Sequence, residues 1–480
     1  MSILVVDVGT SSVRASVVRP DVTVAAEHQR PLLPDSPEPG LVEFDAQALA
    51  TAAVEVASAA LAVGGPVEAV RIANQRASSI LWDRATGEPV GPAIGWQDLR
   101  TVGDCLVLRG EGLRLAPNQS ATKLKWLLDK YDLGRERDLC FGTVDTWIAW
   151  TLSGGTVHVT DLTNAAVTGL VDPTGSAWDD AVLANLAIPP SILPTIVDSS
   201  GPVGEASALD GAPPICGLVG DQQGSLIGQG CVAPGPAKIT FGTGGMLDMV
   251  VGQDRPPFET RGAGGTFPIV AWRVGGVPTW GLEAIMLSAG TNVEWLRDDL
   301  GLIATAEESY AVATSVPSTD GVLYVPALLG LGTPHWDYGA RGTLLGVTRG
   351  TNRGHVVRAV LEGVAHRGAD LVEAAETDSG QPIDHLRIDG GMSRNPFFVQ
   401  ALADAAQRPV QVSPVVEATT LGAAFLAGLS TGIWSGWDDV AATWRPVEAV
   451  EPGSPLDRDR WKQAVERAKA WYPELSGIDF

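Results

Sequence analysis

Two short turns rich in glycine, threonine and serine are the parts of this sequence best suited to phosphate chemistry. The first turn, Asp7–Ser12, directly follows the apolar run Ile3–Val6. The second turn, Thr240–Gly245, directly follows Ala237–Ile239. Glycine lets the backbone approach an anion closely, while backbone N–H groups and small hydroxyls donate hydrogen bonds to it. The two turns together predict related half-domains that bind one polyphosphate from opposite sides.

Asp7 stands at the end of the first predicted strand, where its carboxylate could hold Mg²⁺ through water. Thr10, Ser11 and Ser12 would then face phosphate oxygens, and Arg14 could balance their charge. An ordinary β-hairpin turn capped by an aspartate explains the same residues, because short glycine motifs have many false positives. This segment alone leaves both interpretations open.

A second carboxylate, Asp221, lies within Gly220–Gly224 and follows the apolar pair Leu218 and Val219. Phosphoryl transfer to an alcohol needs one residue that orients and deprotonates the attacking hydroxyl, and Asp221 could be that general base. The alternative is that Asp221 is only the N-cap of a helix over Gln222–Ile227.

Three further segments could contribute to a polar pocket. The turn Asp389–Asn395 could pass close under an adenine or ribose, with Asn395 available to the base, although a strand-to-helix turn without a ligand fits equally well. Arg76 and Trp96 could line a pocket with one aromatic wall, which suits a small polyhydroxylated substrate. The alternative for Trp96 is packing in the core. Neither a P-loop nor a dinucleotide-binding glycine fingerprint occurs in the chain.

The elements that must position these residues alternate between strands and helices, which indicates an α/β fold. One helix is predicted to begin after the N-cap Asp45. Two more are predicted over 283–296 and 356–377, and the second of these ends at Asp378–Gly380. The Pro/Gly stretch Val232–Pro236 is the predicted seam between domains 1–233 and 234–480. The predicted strands are 3–7, 13–19, 23–31, 67–72, 79–82 and 385–388.

Composition excludes several classes of function. The formal net charge of −23 argues against nucleic acid or an anionic membrane as a partner, but not against a locally bound nucleotide. No charge-free apolar stretch of about 20 residues occurs, so no membrane span is expected. A strand pattern begins at the N-terminus, so no signal peptide is expected. The four cysteines show no paired spacing, so neither disulfides nor a zinc site are expected, and a cytoplasmic location fits best.

Over nearly its whole length the sequence resembles the FGGY family of carbohydrate kinases and, within it, the glycerol kinases. The family fold implies two actin-like ATPase domains of the ribonuclease H-like kind, with the active site in the cleft between them. The resemblance rests on co-linear segments, namely Ser120–Trp126, Phe141–Trp147, Val157–Ala165, Gly220–Gln223, Ala340–Gly350, and Gly342 through His355 to Glu362.

The resemblance also implies roles for individual residues, with ATP and Mg²⁺ as cofactors. Asp221 matches the catalytic base, and Asp7 the residue that serves the metal. The positions that match substrate-binding residues are Arg76, Trp96, Asp221 and Gln222. The positions that match phosphate or nucleotide contacts are Thr10, Ser11, Ser12, Arg14, Gly242, Thr243, Gly290, Glu294, Gly391 and Asn395.

The chain departs from the glycerol kinase pattern at three substrate-binding positions. Ala77 stands where those kinases carry glutamate, Asn118 where they carry tyrosine, and Met246 where they carry phenylalanine. The changes remove one hydrogen-bond acceptor and two aromatic walls. Glycerol is still the best single acceptor to expect, while a wider pocket could admit a four- or five-carbon polyol or ketose such as erythritol, erythrulose or xylulose.

Other classes of function remain as alternatives. The phosphate turns alone would permit an actin-like nucleotide switch without a small substrate, whereas the polar set Arg76, Trp96, Asp221 and Gln222 favours a kinase. A pseudokinase that senses sugar is a third alternative, against which the retained Asp7, Thr243 and Asp221 argue. The expected partner is a small polyol or sugar, with a homodimer as the expected assembly if the chain assembles.

Overall fold

The computed structural model describes residues 2–414 and 417–478, and its first domain is built on a six-stranded sheet. The sheet order is β11-β12-β5-β1-β2-β3. The strands of this domain, in chain order, are β1 (Ile3–Val8), β2 (Ser12–Val18), β3 (Val24–Pro31), β4 (Glu43–Phe44), β5 (Ala69–Asn74), β6 (Ile80–Asp83), β7 (Ala93–Ile94), β8 (Leu139–Gly142), β9 (Val159–Asp161), β10 (Thr195–Val197), β11 (Gly204–Glu205) and β12 (Pro214–Gly220).

The first three strands form an antiparallel meander, while β5 and β12 lie parallel to β1 on its other side. β1, β5 and β12 therefore end at the same edge of the sheet, where Asp7, Arg76 and Asp221 follow or close them. The five strands predicted in this half are confirmed with shifts of one or two residues. Three small two-stranded pairs, β4–β7, β6–β8 and β9–β10, complete the domain.

Helix α1 is the longest helix of the first domain, and its predicted N-cap is confirmed. The Asp45 carboxylate accepts hydrogen bonds from the backbone of Gln47 and Ala48. By length and hydropathy α1 could cross a membrane, but it packs against β2 and β3 and contributes Ala53 and Ala57 to the core. The helices of this domain are α1 (Ala46–Gly64), α2 (Val102–Gly110), α3 (Ala121–Tyr131), α4 (Val144–Leu152), α5 (Leu162–Ala165), α6 (Asp180–Asn185) and α7 (Asp221–Gly228), with a 3-10 turn at Pro190–Ile192.

The second domain repeats this plan around a seven-stranded sheet of order β15-β16-β14-β13-β19-β20-β21. Here β13 and β14 form the antiparallel hairpin, and β19 and β20 run parallel to β13. The strands are β13 (Ala237–Phe241), β14 (Gly245–Gly252), β15 (Phe267–Val274), β16 (Val277–Met286), β17 (Leu323–Val325), β18 (Thr343–Leu345), β19 (Leu386–Asp389), β20 (Val410–Val412) and β21 (Glu448–Val450).

The helix predicted at 356–377 is confirmed, with a capping box between Asn352 and His355 at its start and left-handed Gly380 at its end. The helices of this half are α8 (Thr291–Glu294), α9 (Glu308–Thr314), α10 (Arg353–Ser379), α11 (Pro396–Ala406), α12 (Ala418–Thr431), α13 (Trp437–Thr443), α14 (Arg458–Ala468) and α15 (Pro473–Ser476), with a π-helical turn at Trp295–Asp299 and a 3-10 turn at Gly391–Arg394.

The helix predicted over 283–296 is wrong in its first part. Glu283 lies in β16, which pairs with β14 on one side and β15 on the other. Only Thr291–Glu294 and the π-helical turn after it are helical. Pairing on both edges gives β16 a full set of hydrogen bonds, and this tertiary context outweighs the helical spacing of its apolar residues.

The two domains share a hydrophobic core. Helix α12 comes from the second half of the chain but packs against β1 and β5 of the first sheet and against α7. A single buried cluster accordingly contains Val5 and Leu226 from one half and Leu421 and Phe425 from the other. The boundary between residues 233 and 234 stays a prediction, since apolar contacts cross it extensively.

Candidate active site

The first predicted phosphate turn is the tight connection of the β1–β2 hairpin. The backbone N–H of Gly9 donates to the carbonyl of Ser12 over 3.0 Å. The Thr10 hydroxyl accepts a 3.2 Å hydrogen bond from the indole nitrogen of Trp96. Ser11 is exposed at the tip, and the hydroxyl of Ser12 accepts a hydrogen bond from Gln29. Hydrogen bonds from Trp96 and Gln29 therefore fix this turn, while Ser11 at its tip remains exposed to solvent.

The second predicted phosphate turn occupies the equivalent place between β13 and β14. Gly242 and Thr243 are exposed, and their carbonyls accept 2.8 Å hydrogen bonds from the N–H groups of Gly290 and Ala289. A Cβ on Gly290 would lie 2.6 Å from the carbonyl oxygen of Gly242, so this close approach requires glycine. Glu294 is exposed at the end of α8, one turn beyond Gly290.

Asp7 and Asp221 approach each other where β1 and β12 end. Burial, reinforced by the negative charge of Asp221, raises the pKa of Asp7 to about 7, and Arg14 opposes that rise. Arg14 lies opposite Asp7 in the hairpin, and its guanidinium forms an ion pair with Glu417 just before α12. Two carboxylates close enough to repel one another fit the demand for a bound divalent cation.

Asp221 is the first residue of α7, and Gly220 is the N-cap of that helix. The alternative of Asp221 as a simple N-cap is therefore wrong, although its carboxylate does accept a 2.8 Å hydrogen bond from the N–H of Gln222. The N–H of Gly220 donates to the hydroxyl of Thr163 over 2.8 Å, which fixes the backbone directly before the carboxylate. Burial raises the pKa of Asp221, and Arg76 lowers it.

Arg76 and Gln222 meet Asp221 from two sides. The Nε atom of Arg76 lies 3.6 Å from Oδ1 of Asp221, and its Nη2 lies 2.6 Å from Oε2 of Glu283. The side-chain oxygen of Gln222 accepts a 2.6 Å hydrogen bond from Lys238. The remaining guanidinium nitrogen of Arg76, Nη1, is buried without a protein partner and could donate to an acceptor oxygen.

Trp96 closes the pocket next to the first turn, and the protein fixes its backbone at both ends. Its N–H donates to the Ser78 hydroxyl over 3.0 Å, and its carbonyl accepts a 2.9 Å hydrogen bond from Lys123. Burial lowers the pKa of Lys123 to about 7. Ala77 adopts a left-handed φ of 63°, and its carbonyl accepts from the Ser120 hydroxyl over 2.9 Å.

The other two divergent positions lie on separate elements. Met246 is half-buried on β14, opposite Thr240 of β13 and Ile285 of β16. Asn118 is exposed in the turn before α3, two residues ahead of Ser120. The contacts of Ser120 with Ala77 bring that turn to the pocket wall, but no contact joins Asn118 itself to Arg76 or Asp221 among the described residues.

Gly391 begins the 3-10 turn after β19, and Asn395 caps α11. The Asn395 oxygen accepts hydrogen bonds from Phe397 and Phe398, and its amide nitrogen donates to Ser309 over 3.0 Å. Both ends of this amide are thus used within the protein. A contact from Asn395 to a nucleotide base stays a prediction.

Sequence reasoning missed three charged residues beneath the acceptor pocket. Lys238, Asp248 and Glu283 lie on adjacent strands of the second sheet, and all three are buried. Lys238 could have been noticed as a lone cation in an otherwise apolar strand. Glu283 was assigned to a helix, and that error hid its position facing Arg76.

The two turns that were predicted to bind phosphate are the hairpin connections β1–β2 and β13–β14 of the two sheets, and the Asp221 carboxylate lies beside Arg76 where β12 and β5 end. Within residues 2–414 and 417–478 no cluster of three or more potential metal-ligating side chains occurs. Asp7 could still hold a magnesium ion whose other ligands are water and phosphate oxygens, as is usual for Mg²⁺ in phosphoryl-transfer enzymes. The fold and the site together define a two-domain phosphotransferase of the actin-like ATPase class.

Family models agree with that class. The N-terminal domain model of the FGGY family of carbohydrate kinases matches residues 2–228, and its C-terminal domain model matches residues 237–431. The chain belongs to the FGGY family of carbohydrate kinases, and it is an ATP-dependent kinase. The predicted fold class, two actin-like ATPase domains around a cleft, is confirmed.

Within the family, the chain is similar to several glycerol kinases. A glycerol kinase from Aromatoleum aromaticum is 44% identical over 98% of this chain and 99% of its own length. A glycerol kinase from Rhodopirellula baltica is 41% identical over 100% of this chain and 93% of its own. The crystal structure of Plasmodium falciparum glycerol kinase with ADP superposes with a TM-score of 0.90 at 28% identity, covering 100% and 99% of the two chains.

Proposed function

We propose that this kinase transfers the γ-phosphate of ATP to a terminal hydroxyl of a small polyol, with glycerol as the best single acceptor. The observation that carries the proposal is the meeting of Arg76, Asp221 and Gln222 at the base of a cleft lined by two phosphate turns. The similarity to glycerol kinases at 41–44% identity over nearly the full length supports glycerol as the acceptor.

Asp221 orients the acceptor hydroxyl and takes its proton as the oxygen attacks the γ-phosphorus. Arg76 donates hydrogen bonds to the acceptor, and Gln222 offers its amide from the first turn of α7. The β1–β2 and β13–β14 turns donate backbone N–H and hydroxyl groups to the phosphate oxygens, which stabilises the charge that develops during transfer. Closure of the cleft excludes water, so the polyol outcompetes hydrolysis.

Asp7 is the residue that would hold Mg²⁺, with water and phosphate oxygens as the other ligands of the ion. When bound, the ion would neutralise negative charge on the phosphates. Without it, burial and then the negative charge of Asp221 raise the pKa of Asp7. We also place the enzyme in the cytoplasm, where ATP is abundant and where its four buried free cysteines stay reduced.

The decisive experiment is an acceptor panel with the purified protein, MgATP and three- to five-carbon polyols and ketoses, read as ADP release. Glycerol should give the highest kcat/KM. ATP hydrolysis that no polyol or ketose stimulates would contradict the proposal and favour a nucleotide switch.

A kinase for a four- or five-carbon polyol or ketose is the second candidate. Ala77 brings no carboxylate to the pocket wall, and Met246 brings no aromatic ring. Asn118 is exposed. A pocket with these three side chains offers more room and less discrimination for a three-carbon acceptor. An inactive glycerol beside an active tetritol or pentulose in the same panel would establish this candidate.

A further inference from the structure

A row of buried charges crosses the second sheet directly below the acceptor pocket. Lys238 of β13 lies opposite Asp248 of β14, and Asp248 lies opposite Glu283 of β16. Cross-strand neighbours point to the same face of a sheet, so the three side chains form one row. Lys238 and Asp248 are 0% exposed and Glu283 is 7% exposed, and the Lys238 amine lies 2.8 Å from the Asp248 carboxylate.

Both ends of this row contact residues of the first domain that belong to the acceptor pocket. Glu283 accepts a 2.6 Å hydrogen bond from Nη2 of Arg76, and Lys238 donates a 2.6 Å hydrogen bond to the side-chain oxygen of Gln222. Arg76 follows β5, and Gln222 lies in the first turn of α7. Each of these two acceptor-site side chains is therefore oriented by a charge from the opposite domain.

The geometry around Arg76 shows what Glu283 contributes. The guanidinium lies 2.6 Å from Glu283 but 3.6 Å from Asp221, so its close ion pair is with Glu283. Apart from the hydrogen bond that Oδ1 accepts from the N–H of Gln222, this arrangement leaves the Asp221 carboxylate available to a substrate hydroxyl. Without Glu283, Asp221 would be the nearest remaining carboxylate to the buried guanidinium of Arg76. An ion pair between them would occupy the oxygens of the proposed base.

We propose that Glu283 and Lys238 are positioning residues of the acceptor site, and that they orient Arg76 and Gln222 from across the domain interface. The inference rests on the proposed kinase function, because it concerns the acceptor pocket of that reaction. The acceptor site is then complete only when the two domains are docked, whereas the hydrogen bonds that fix each predicted phosphate turn come from its own domain.

The first test is Glu283→Gln, which keeps the shape of the side chain but removes its charge. Displacing a substrate-orienting group by even one ångström costs about 100-fold in rate, so we expect kcat/KM for the polyol to fall about 10- to 100-fold. The KM for ATP should stay within about twofold of the wild-type value, because the substitution does not alter nucleotide binding. A purely structural role would lower the folded fraction without separating the two KM values.

A second variant covers the case in which a lone buried charge prevents folding. Lys238→Met combined with Asp248→Leu removes one cation and one anion together, a replacement that proteins often tolerate because no charge is left unpaired. It also removes the donor to Gln222. We expect the KM for the polyol to rise in this variant as well, with the KM for ATP unchanged.

The matched control is Asp198→Asn. Asp198 pairs with Arg273 over 2.7 Å and also joins the two halves of the chain, but neither residue contacts Arg76, Gln222 or Asp221. Polyol kinetics in both test variants that differ no more from wild type than this control would overturn the inference. An assay of the wild-type enzyme in parallel tests the proposed function separately. If the wild-type enzyme phosphorylates no polyol, the proposed function is wrong, whatever the variants do.

Discussion

In the proposed reaction, catalysis depends on how one carboxylate is kept available. Asp221 stands at the end of β12 with Arg76 beside it, and Gly220 rather than Asp221 caps the helix that follows. If Asp221 were the cap, its carboxylate oxygens would accept hydrogen bonds from backbone N–H groups at the start of the helix. Here one oxygen accepts a single bond from Gln222, so the group retains the capacity to accept a substrate proton.

Asp221→Asn removes the proposed base and keeps the shape of the side chain. General-base catalysis contributes about 100- to 10,000-fold, so kcat for polyol phosphorylation should fall by that range. ADP binding, measured by isothermal titration calorimetry, should persist, because the phosphate turns are untouched. Wild-type turnover in this variant would assign the base to another residue.

The three divergent pocket positions lead to a second prediction at the residue scale. Asn118→Tyr combined with Met246→Phe restores aromatic bulk at the two positions where the glycerol kinase pattern has it. A mismatch of one methylene in a pocket changes discrimination about 10- to 200-fold, so the ratio of kcat/KM for glycerol to that for a tetritol should rise about tenfold or more. An unchanged ratio would remove both positions from the specificity-determining wall.

At the scale of elements, each phosphate turn depends on the segment that packs behind it. The second turn is connected to the start of α8 by backbone hydrogen bonds from Ala289, Gly290 and Thr291, and the one from Gly290 goes to the carbonyl of Gly242. The turn itself carries few side chains that could fix it. Its shape is therefore set by a neighbour almost fifty residues away in the sequence.

Gly290→Ala tests this dependence, since the added methyl group would lie 2.6 Å from the Gly242 carbonyl oxygen. The turn has to move, so we expect the KM for ATP to rise about tenfold while the KM for the polyol changes little. Steady-state kinetics with each substrate varied in turn measures both values. Gly103→Ala is the control, because a Cβ at Gly103 meets no atom within 4 Å.

The segment β8–α4–β9 supports the acceptor side and contains a buried acid. Asp145 accepts hydrogen bonds from Thr143 and Thr160, and burial together with the charge of Asp161 raises its pKa to about 7. The folded state therefore favours protonated Asp145. Its contribution to stability is present below the ordinary pKa of 3.8 and is lost as the pH rises through about 7.

Asp145→Asn substitutes a neutral isostere and should abolish this loss. Relative to wild type, the variant should gain stability between pH 4 and pH 8, by about 1 kcal/mol or more. Urea unfolding at the two pH values measures the difference. The control Asp21→Asn removes an exposed acid whose pKa is lowered by Thr23, so it should not show a gain of this sign.

At the scale of the whole molecule, the two domains are joined by a helix pair as well as by the chain. Helices α7 and α12 cross where Gly224 and Gly228 face Gly422, and a Cβ on Gly422 would lie 2.6 Å from the backbone nitrogen of Gly228. Since α7 begins with Asp221 and α12 follows Glu417, the partner of Arg14, this contact links both walls of the cleft.

Gly422→Ala should separate α7 from α12 and disturb the shared core. Overpacking of this kind costs about 1–3 kcal/mol, so the free energy of unfolding should fall by that amount. Chemical denaturation followed by tryptophan fluorescence measures it. An unchanged midpoint and slope would show that the helices can move apart without loss.

Several features of this protein could be predicted from particular residues. The apolar run before Asp7, the Asp45 cap and the helix predicted over 356–377 are local patterns. The structure has the strand and the cap as predicted, and it extends the helix to Arg353–Ser379. The helix predicted over 283–296 was wrong only in its first part, where pairing with β14 and β15 makes the residues up to Met286 a strand.

The sequence by itself determined the class of fold, and it predicted the two glycine-rich turns and the carboxylates Asp7 and Asp221 as parts of the site, because each follows from local backbone preference and residue chemistry. Only the tertiary structure decided that Glu283 and Lys238 face Arg76 and Gln222, and that Gly290 fixes the second turn. Those contacts join residues far apart in the chain across a sheet and a domain interface, and no local pattern encodes the register that brings them together.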